Sequence, residues 1–102
     1  MLRQVAKVIL DQVRKTDIPV RFGGEEFLVF LPTNLGSARL LAERIRLGIE
    51  SKEFFVEGQA IRVTISGGIA DHDKDESLTD LIKKADRKLY QAKKGGRNKI
   101  VC

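Results

Sequence analysis

A pair of glycines, Gly23 and Gly24, separates two strand-like segments in the first third of the chain. Glycine accepts backbone angles that other residues avoid, and paired glycines are a common device for a tight hairpin. Residues 18–22 alternate apolar side chains with smaller or polar ones, and the run Phe27–Leu31 is apolar throughout. A hairpin here makes the two segments antiparallel neighbours. Because the second run is apolar on both faces, it is predicted to be a buried central strand.

Helical periodicity marks three segments. The first is Leu2–Lys15, the second begins at a capping residue, Ser37, and ends near Ser51, and the third begins at the cap Ser77 and ends at Gly95. The predicted inner faces comprise Leu2, Val5, Ile9 and Val13 in the first helix, Ala38, Leu41, Ala42, Ile45 and Ile49 in the second, and Leu78, Leu81, Ile82, Ala85, Leu89 and Ala92 in the third.

Further strands are predicted between and after the last two helices. Phe54–Val56 and the longer Ala60–Ala70 flank a turn at residues 57–59, and Lys99–Val101 can form a short edge strand. The alternation in the longer strand predicts that one side is shared by Ile61, Val63, Ile65 and Ile69. The order of helix, hairpin, helix, strands and helix predicts an α+β sandwich, with one sheet and helices packed against it.

The length of 102 residues allows a single domain, residues 1–102. With 42% hydrophobic and 32% charged residues, the composition is that of a folded globular chain. No apolar run is long enough for a membrane span, and the start is unlike a signal peptide, so no membrane contact is expected. Cys102 is the single cysteine, which fits a reducing compartment, and the chain is therefore expected in the cytoplasm.

The net charge of +5 makes phosphate-bearing partners plausible. Aromatic residues are only 6% of the chain and do not interleave with the cations, which disfavours a nucleic-acid stacking surface. Charge alone does not choose between nucleic acid and a nucleotide, and it is the arrangement of the aromatic residues that disfavours nucleic acid.

The glycine hairpin is followed by two carboxylates, Glu25 and Glu26. Glycines let backbone N–H groups approach a phosphate closely, and adjacent carboxylates can hold a hard divalent cation. The arrangement suits metal-dependent nucleotide chemistry. An ordinary hairpin with solvated glutamates explains the same residues, and the hairpin alone leaves both interpretations open.

The stretch Arg21–Phe27 resembles the signature of the GGDEF family of diguanylate cyclases, in a GGEEF variant. Three further segments resemble family blocks in the family's order, namely Ala42–Arg46, Val63–Ala70, and Ala85–Lys93 with Gly96–Asn98. The resemblance implies a ferredoxin-like, palm-type nucleotide-cyclase sandwich with an antiparallel-rich sheet and helices packed on it.

The resemblance also implies an activity, which is the condensation of two GTP molecules into cyclic di-GMP with release of pyrophosphate. Each subunit of a homodimer would present one GTP to the other. Gly23 and Gly24 would let the nucleotide lie on the hairpin, and Glu25 and Glu26 would serve catalysis and ligate Mg²⁺ or Mn²⁺. The division of roles between the two glutamates stays open.

Two cations near the end of the third helix, Lys93 and Arg97, match the family's triphosphate contacts. Cations are also common at helix C-termini because they interact favourably with the helix dipole. Apart from the resemblance, that structural explanation is the stronger one.

An Arg-x-x-Asp sequence, Arg14 with Asp17, precedes the glycines at the distance of the family's product-inhibition site, and Arg44 matches the arginine that completes that site. Arginine can bind phosphate and lie flat on guanine. The resemblance thus implies that cyclic di-GMP is both product and inhibitor, while a helix end with solvated charges is the alternative.

The family pattern normally begins further upstream, with a strand that carries a metal-binding aspartate and a segment that reads guanine. No residue of this chain matches those positions, so the domain is expected to be incomplete at its N-terminus, with its first central strand absent. That strand would lie between Phe27–Leu31 and Ile61–Ala70. The unpaired edges predict self-association, strand exchange, or a shift of the hairpin beside Ile61–Ala70.

Two functions therefore stand. One is a diguanylate cyclase domain. The other is an inactive module that binds cyclic di-GMP through Arg14, Asp17 and Arg44.

Overall fold

Three helices and six short strands form the described part of the chain, which in this computed structural model is residues 2–15, 17–21 and 26–102. The helices are α1 (Leu2–Gln12), α2 (Leu35–Ser51) and α3 (Leu78–Lys94). The strands are β1 (Ile18–Arg21), β2 (Phe27–Phe30), β3 (Phe54–Val56), β4 (Gln59–Ile61), β5 (Gly67–Gly68) and β6 (Ile100–Val101). This order confirms the predicted α+β class. Within these ranges no helix combines the length and the apolar character needed to cross a bilayer.

Strands β1 and β2 form the predicted antiparallel hairpin, in which Ile18 lies opposite Phe30 and Arg21 lies opposite Phe27. The prediction that the second strand is buried and central is wrong for the described residues. All four residues of β2 are half-buried, and the strand pairs there only with β1. An apolar run is typical of a strand covered on both faces, but it fixes neither the degree of burial nor the number of strands beside it.

Strands β3 and β4 form a second antiparallel hairpin, closed by Glu57 and Gly58. Their φ angles are 51° and 80°, so both turn residues are left-handed, as in the type I′ turns that suit two-residue hairpins. The predicted turn is confirmed, although Gln59 belongs to β4.

The predicted long strand Ala60–Ala70 is wrong. Only its ends are strands, in β4 and β5, and β5 pairs in parallel with β6, which places Gly67 opposite Ile100. Residues 62–66 have no strand partner in the described ranges, although Val63 and Ile65 pack against the core. Alternation predicted which side chains face inward, whereas a strand also requires a neighbouring backbone.

The predicted single sheet is replaced by three two-stranded sheets among the described residues. None of these pairs β2 with Ile61–Ala70, so the predicted shift of the hairpin beside that segment does not occur in this part of the structure. Self-association and strand exchange stay predictions.

The core lies between α1, α2 and β3, and the predicted inner faces of the first two helices contribute to it. Its buried members are Val5, Ile9, Ile45, Ile49 and Phe54. Ile49 and Phe54 are fully enclosed, and Phe27 and Val29 of β2 pack against the cluster, which attaches the first hairpin to the helices.

The first two helix boundaries differ from prediction because nearby polar side chains compete for the same backbone groups. Helix α1 ends at Gln12 rather than Lys15, since the Asp17 carboxylate accepts a hydrogen bond from the backbone N–H of Arg14. Helix α2 is capped by Asn34 rather than Ser37. The Asn34 side chain accepts a hydrogen bond from the Ser37 backbone N–H at 2.8 Å.

Helix α3 begins and ends as predicted, with Ser77 accepting a hydrogen bond from the Asp80 N–H at 3.1 Å and Gly95 following the last turn. Ala92 is buried on its inner face, whereas Leu78, predicted to share that face, is 56% exposed. Leu78 is the first residue of the helix.

Candidate functional site

A cleft of about 130 Å³ lies between α2 and the turn that joins α1 to β1, called here the α1–β1 turn. Its lining residues are Gln12, Arg14, Asp17, Leu31, Pro32, Thr33, Ser37, Leu40, Leu41 and Arg44. Arg14, Asp17 and Arg44, which the family resemblance grouped, therefore surround one space.

Local hydrogen bonds fix the α1–β1 turn. The Asp17 carboxylate accepts from the Arg14 N–H at 2.6 Å, and the Asp17 N–H donates to the Arg14 carbonyl at 3.1 Å. This reciprocal pair closes the backbone and leaves the Arg14 side chain exposed. One Asp17 oxygen is thus used in holding the turn.

The charges of the cleft favour an anion. Arg14 and Arg44 are both exposed, and Asp17 offsets one of the two positive charges. Leu40, which is 68% exposed, adds an apolar surface beside the guanidinium groups. A planar guanidinium can bind phosphate oxygens in pairs and can stack on an aromatic ring, so the cleft is suited to a phosphorylated, ring-bearing ligand.

The glycine hairpin lies mostly outside the described residues, since Gly23, Gly24 and Glu25 all fall there. Glu26 is described: it is half-buried and directly precedes β2. Its carboxylate is the oxygen donor that Mg²⁺ prefers. Among the described residues no group of three or more metal-ligating side chains is brought together, so Glu26 fits such an ion only as one ligand of a set.

Lys93 and Arg97 flank the end of α3 and are both exposed. Lys93 is in the last helical turn, and Arg97 lies in the four residues that follow it, Gly95–Asn98, called here the α3–β6 turn. The Arg97 N–H donates to the Ala92 carbonyl at 3.0 Å, which bends the chain back over the helix end. Two cations are thereby presented at one end of the helix.

Sequence reasoning assigned no role to Arg46 and Asn98, which the structure joins. Nη1 of Arg46 donates to the side-chain oxygen of Asn98 at 3.0 Å, although the two residues are 52 positions apart. Glu43 and Glu50 stand three before and four after Arg46, a spacing that predicts ion pairs on a helix. No signal in the sequence pointed to Asn98 as the further partner.

The Arg46 guanidinium is firmly held. Its Nε donates to Glu43 at 2.6 Å, and its side chain is only 15% exposed. Hydrogen bonding to the Glu43 carboxylate raises the pKa of Arg46 above its ordinary value, and the charge of Glu50 acts in the same direction.

Comparison with known proteins relates the whole chain to one family. The profile described as "Diguanylate cyclase, GGDEF domain" matches residues 1–99. Diguanylate cyclase A from Treponema denticola is 41% identical over 102 residues, which cover 98% of this chain and 28% of that protein.

Solved structures show the same fold. The diguanylate cyclase SiaD of Pseudomonas aeruginosa, in complex with its activator SiaC, matches with a TM-score of 0.92 and 36% identity over 98% of this chain and 39% of that one. The GGDEF domain of DgcB from Caulobacter crescentus, in complex with c-di-GMP, matches with a TM-score of 0.91 and 30% identity over 98% of this chain and 61% of that one.

Proposed function

Because the chain belongs to the GGDEF family of diguanylate cyclase domains, we propose that it condenses two GTP molecules into cyclic di-GMP and releases two pyrophosphates. In this reaction the 3′-hydroxyl of each GTP displaces pyrophosphate from the α-phosphate of the other, which a second copy of the domain holds. Phosphoryl transfer of this kind depends mainly on positioning and on neutralising negative charge.

The chain's cations would hold the triphosphate. Lys93 and Arg97 present two positive groups at the end of α3, where they can neutralise charge that accumulates on the departing pyrophosphate. Gly23 and Gly24 would let the backbone approach the nucleotide closely, because neither carries a side chain.

Glu25 and Glu26 would ligate a divalent ion, Mg²⁺ or Mn²⁺, through their carboxylate oxygens. When bound, such an ion supplies polarisation of phosphate oxygens and lowers the pKa of a hydroxyl. Either glutamate can also accept the proton of the attacking 3′-hydroxyl, since a carboxylate is a suitable general base.

The observation that best supports binding of cyclic di-GMP is the cleft at the α1–β1 turn. Arg14, Asp17 and Arg44 line it together, although Arg44 is 27 or more positions from the other two in the sequence. We assign cyclic di-GMP to this cleft as an inhibitory ligand. The same observation favours a second candidate function, an inactive module that senses the dinucleotide, because the cleft does not use the hairpin glutamates.

A turnover assay on the full-length protein separates the two functions. Chromatography of GTP incubated with Mg²⁺ should show cyclic di-GMP, and Glu25→Gln or Glu26→Gln should lower the rate by at least about 100-fold. Losing several kcal/mol of transition-state stabilisation corresponds to such a factor.

Glu53→Gln is the matched control, since Glu53 is exposed and pairs only loosely with Arg62, at 3.6 Å. Full activity of both hairpin variants would contradict the catalytic proposal. Cyclic di-GMP binding by calorimetry, without any turnover of GTP, would instead identify the inactive module.

A further inference from the structure

The α3–β6 turn has a left-handed backbone that is strained at one residue. Three consecutive residues have positive φ, namely Gly96 at 110°, Arg97 at 65° and Asn98 at 46°. Glycine accepts such angles freely and asparagine tolerates them, whereas arginine rarely adopts them. The surroundings therefore hold Arg97 in this conformation.

Besides the local bond from the Arg97 N–H to the Ala92 carbonyl, Asn98 ties the turn to distant parts of the fold. Its backbone N–H donates to the Ser66 hydroxyl at 3.1 Å, its side-chain oxygen accepts from Arg46, and its side-chain nitrogen donates to the Glu50 carboxylate. These partners lie 32 to 52 positions away in the sequence. Both ends of the side-chain amide are used, which fixes its orientation.

Arg46, in α2, contacts other members of this hydrogen-bond network. Besides Asn98 it binds Glu43 and lies within 3.9 Å of Glu50. A guanidinium offers its donors in a rigid plane, so two carboxylates and one amide together leave it little freedom. The position of Asn98, the residue next to Arg97, therefore depends on the position of α2.

We propose that Arg46 is a positioning residue for Arg97, because through Asn98 it sets the backbone from which the Arg97 guanidinium reaches the triphosphate. This rests on the proposed function, in which Arg97 binds GTP. Arg46 acts through the turn and needs no contact with the nucleotide.

The first experiment measures affinity for 3′-deoxyguanosine triphosphate, which lacks the attacking hydroxyl and cannot react. In the full-length protein, Arg97→Ala should weaken binding by roughly 10–100-fold, the effect of losing one charged hydrogen bond. Arg46→Ala should weaken it by roughly 3–10-fold, since the cation remains but loses its fixed direction. Arg39→Ala, an exposed arginine of the same helix, should change nothing.

The outcomes distinguish the two proposals. If Arg97→Ala leaves the affinity unchanged, the triphosphate role of Arg97 fails, and the positioning role fails with it. If Arg97→Ala weakens binding while Arg46→Ala behaves like Arg39→Ala, only the positioning role is overturned.

A rescue experiment excludes a general loss of structure. Asn98→Asp keeps a residue that tolerates positive φ but places a second carboxylate against Glu50. It should weaken binding of the analogue, and adding Glu50→Gln should restore it to within about twofold, because the amide at position 50 can donate to the new carboxylate at position 98. A double variant as weak as Asn98→Asp alone would contradict the proposal.

Discussion

The two turns that carry the proposed nucleotide-binding arginines are held in different ways. The α1–β1 turn carries Arg14 and is closed by two hydrogen bonds between Arg14 and Asp17, three residues apart. The α3–β6 turn carries Arg97 and is tied through Asn98 to Arg46, Glu50 and Ser66, in other parts of the fold. The first turn is closed by bonds within it, whereas the second adds these distant bonds to the local one between the Arg97 N–H and the Ala92 carbonyl.

Each site is therefore sensitive to substitutions in a different part of the chain. A turn closed by neighbours in sequence depends on those neighbours alone, so distant substitutions should leave it intact. A turn held by residues 32 to 52 positions away depends on the packing of α2 and of residues 62–66. Substitutions that remove the local bonds of one turn or the distant bonds of the other can show whether the two turns depend on different residues.

The largest effect is expected at Asn98. Asn98→Val should lower the free energy of unfolding by about 3 kcal/mol, because a β-branched residue is strained at a φ of 46° and cannot replace the bonds to Arg46 and Glu50. Urea unfolding measures this loss. Asn98→Gly accepts the angle but loses the same bonds, so it should cost about 1.5 kcal/mol. Equal losses in the two variants would show that backbone strain is unimportant.

Arg14→Ala should separate binding from stability in the local turn. Calorimetry should show cyclic di-GMP binding weaker by about 1.5–3 kcal/mol, the loss of one charged hydrogen bond. The free energy of unfolding should change by less than about 0.5 kcal/mol, since the Arg14 side chain is exposed and only its backbone holds the turn. Lys15→Ala, the exposed neighbour outside the cleft lining, is the control. An unchanged dissociation constant would leave Arg14 as a solvated charge.

Asp17→Ala should loosen the local turn and no other. Losing the acceptor for the Arg14 N–H should cost about 1 kcal/mol, seen as a fall in melting temperature, while Asp17→Asn, which keeps an oxygen there, should cost less. Amide hydrogen exchange at Arg97 should stay as in the unaltered protein. Faster exchange at Arg97 would mean that the two turns are coupled, which would contradict their being held by different residues.

The smallest effect is expected for Lys7→Ala on α1. Lys7 pairs with Asp11 at 3.1 Å, but the two side chains are 72% and 62% exposed. Exposed pairs of this kind contribute less than about 0.5 kcal/mol. A larger fall in the urea unfolding midpoint would show that local ion pairs matter more in α1 than exposure indicates.

The contrast between features held by neighbours in sequence and features held by distant residues also explains what the sequence could predict. Ser77 caps α3, and Glu57 with Gly58 closes a hairpin, because each feature depends on residues only a few positions apart. Asn34 and Ser37 show the limit of local signals. Both are good capping residues, and the choice between them depends on the path by which the chain enters the helix.

Features that need distant partners escaped prediction. The alternation in residues 60–70 correctly placed Val63 and Ile65 toward the core, but strand formation depends on which backbone lies alongside. Likewise, the bond between Arg46 and Asn98 crosses 52 positions and leaves no periodic trace. The grouping of Arg14, Asp17 and Arg44 came from family resemblance, since spacing alone does not place Arg44 beside the other two.

Position along the chain also sets an order in time during synthesis. The cleft-lining residues lie between Gln12 and Arg44, whereas the α3–β6 turn directly precedes β6, which pairs in parallel with β5. At about 5–20 residues per second, several seconds of translation separate the two sets. A chain still on the ribosome therefore has its cleft residues available before the cations proposed to bind triphosphate, Lys93 and Arg97, can be fixed in place.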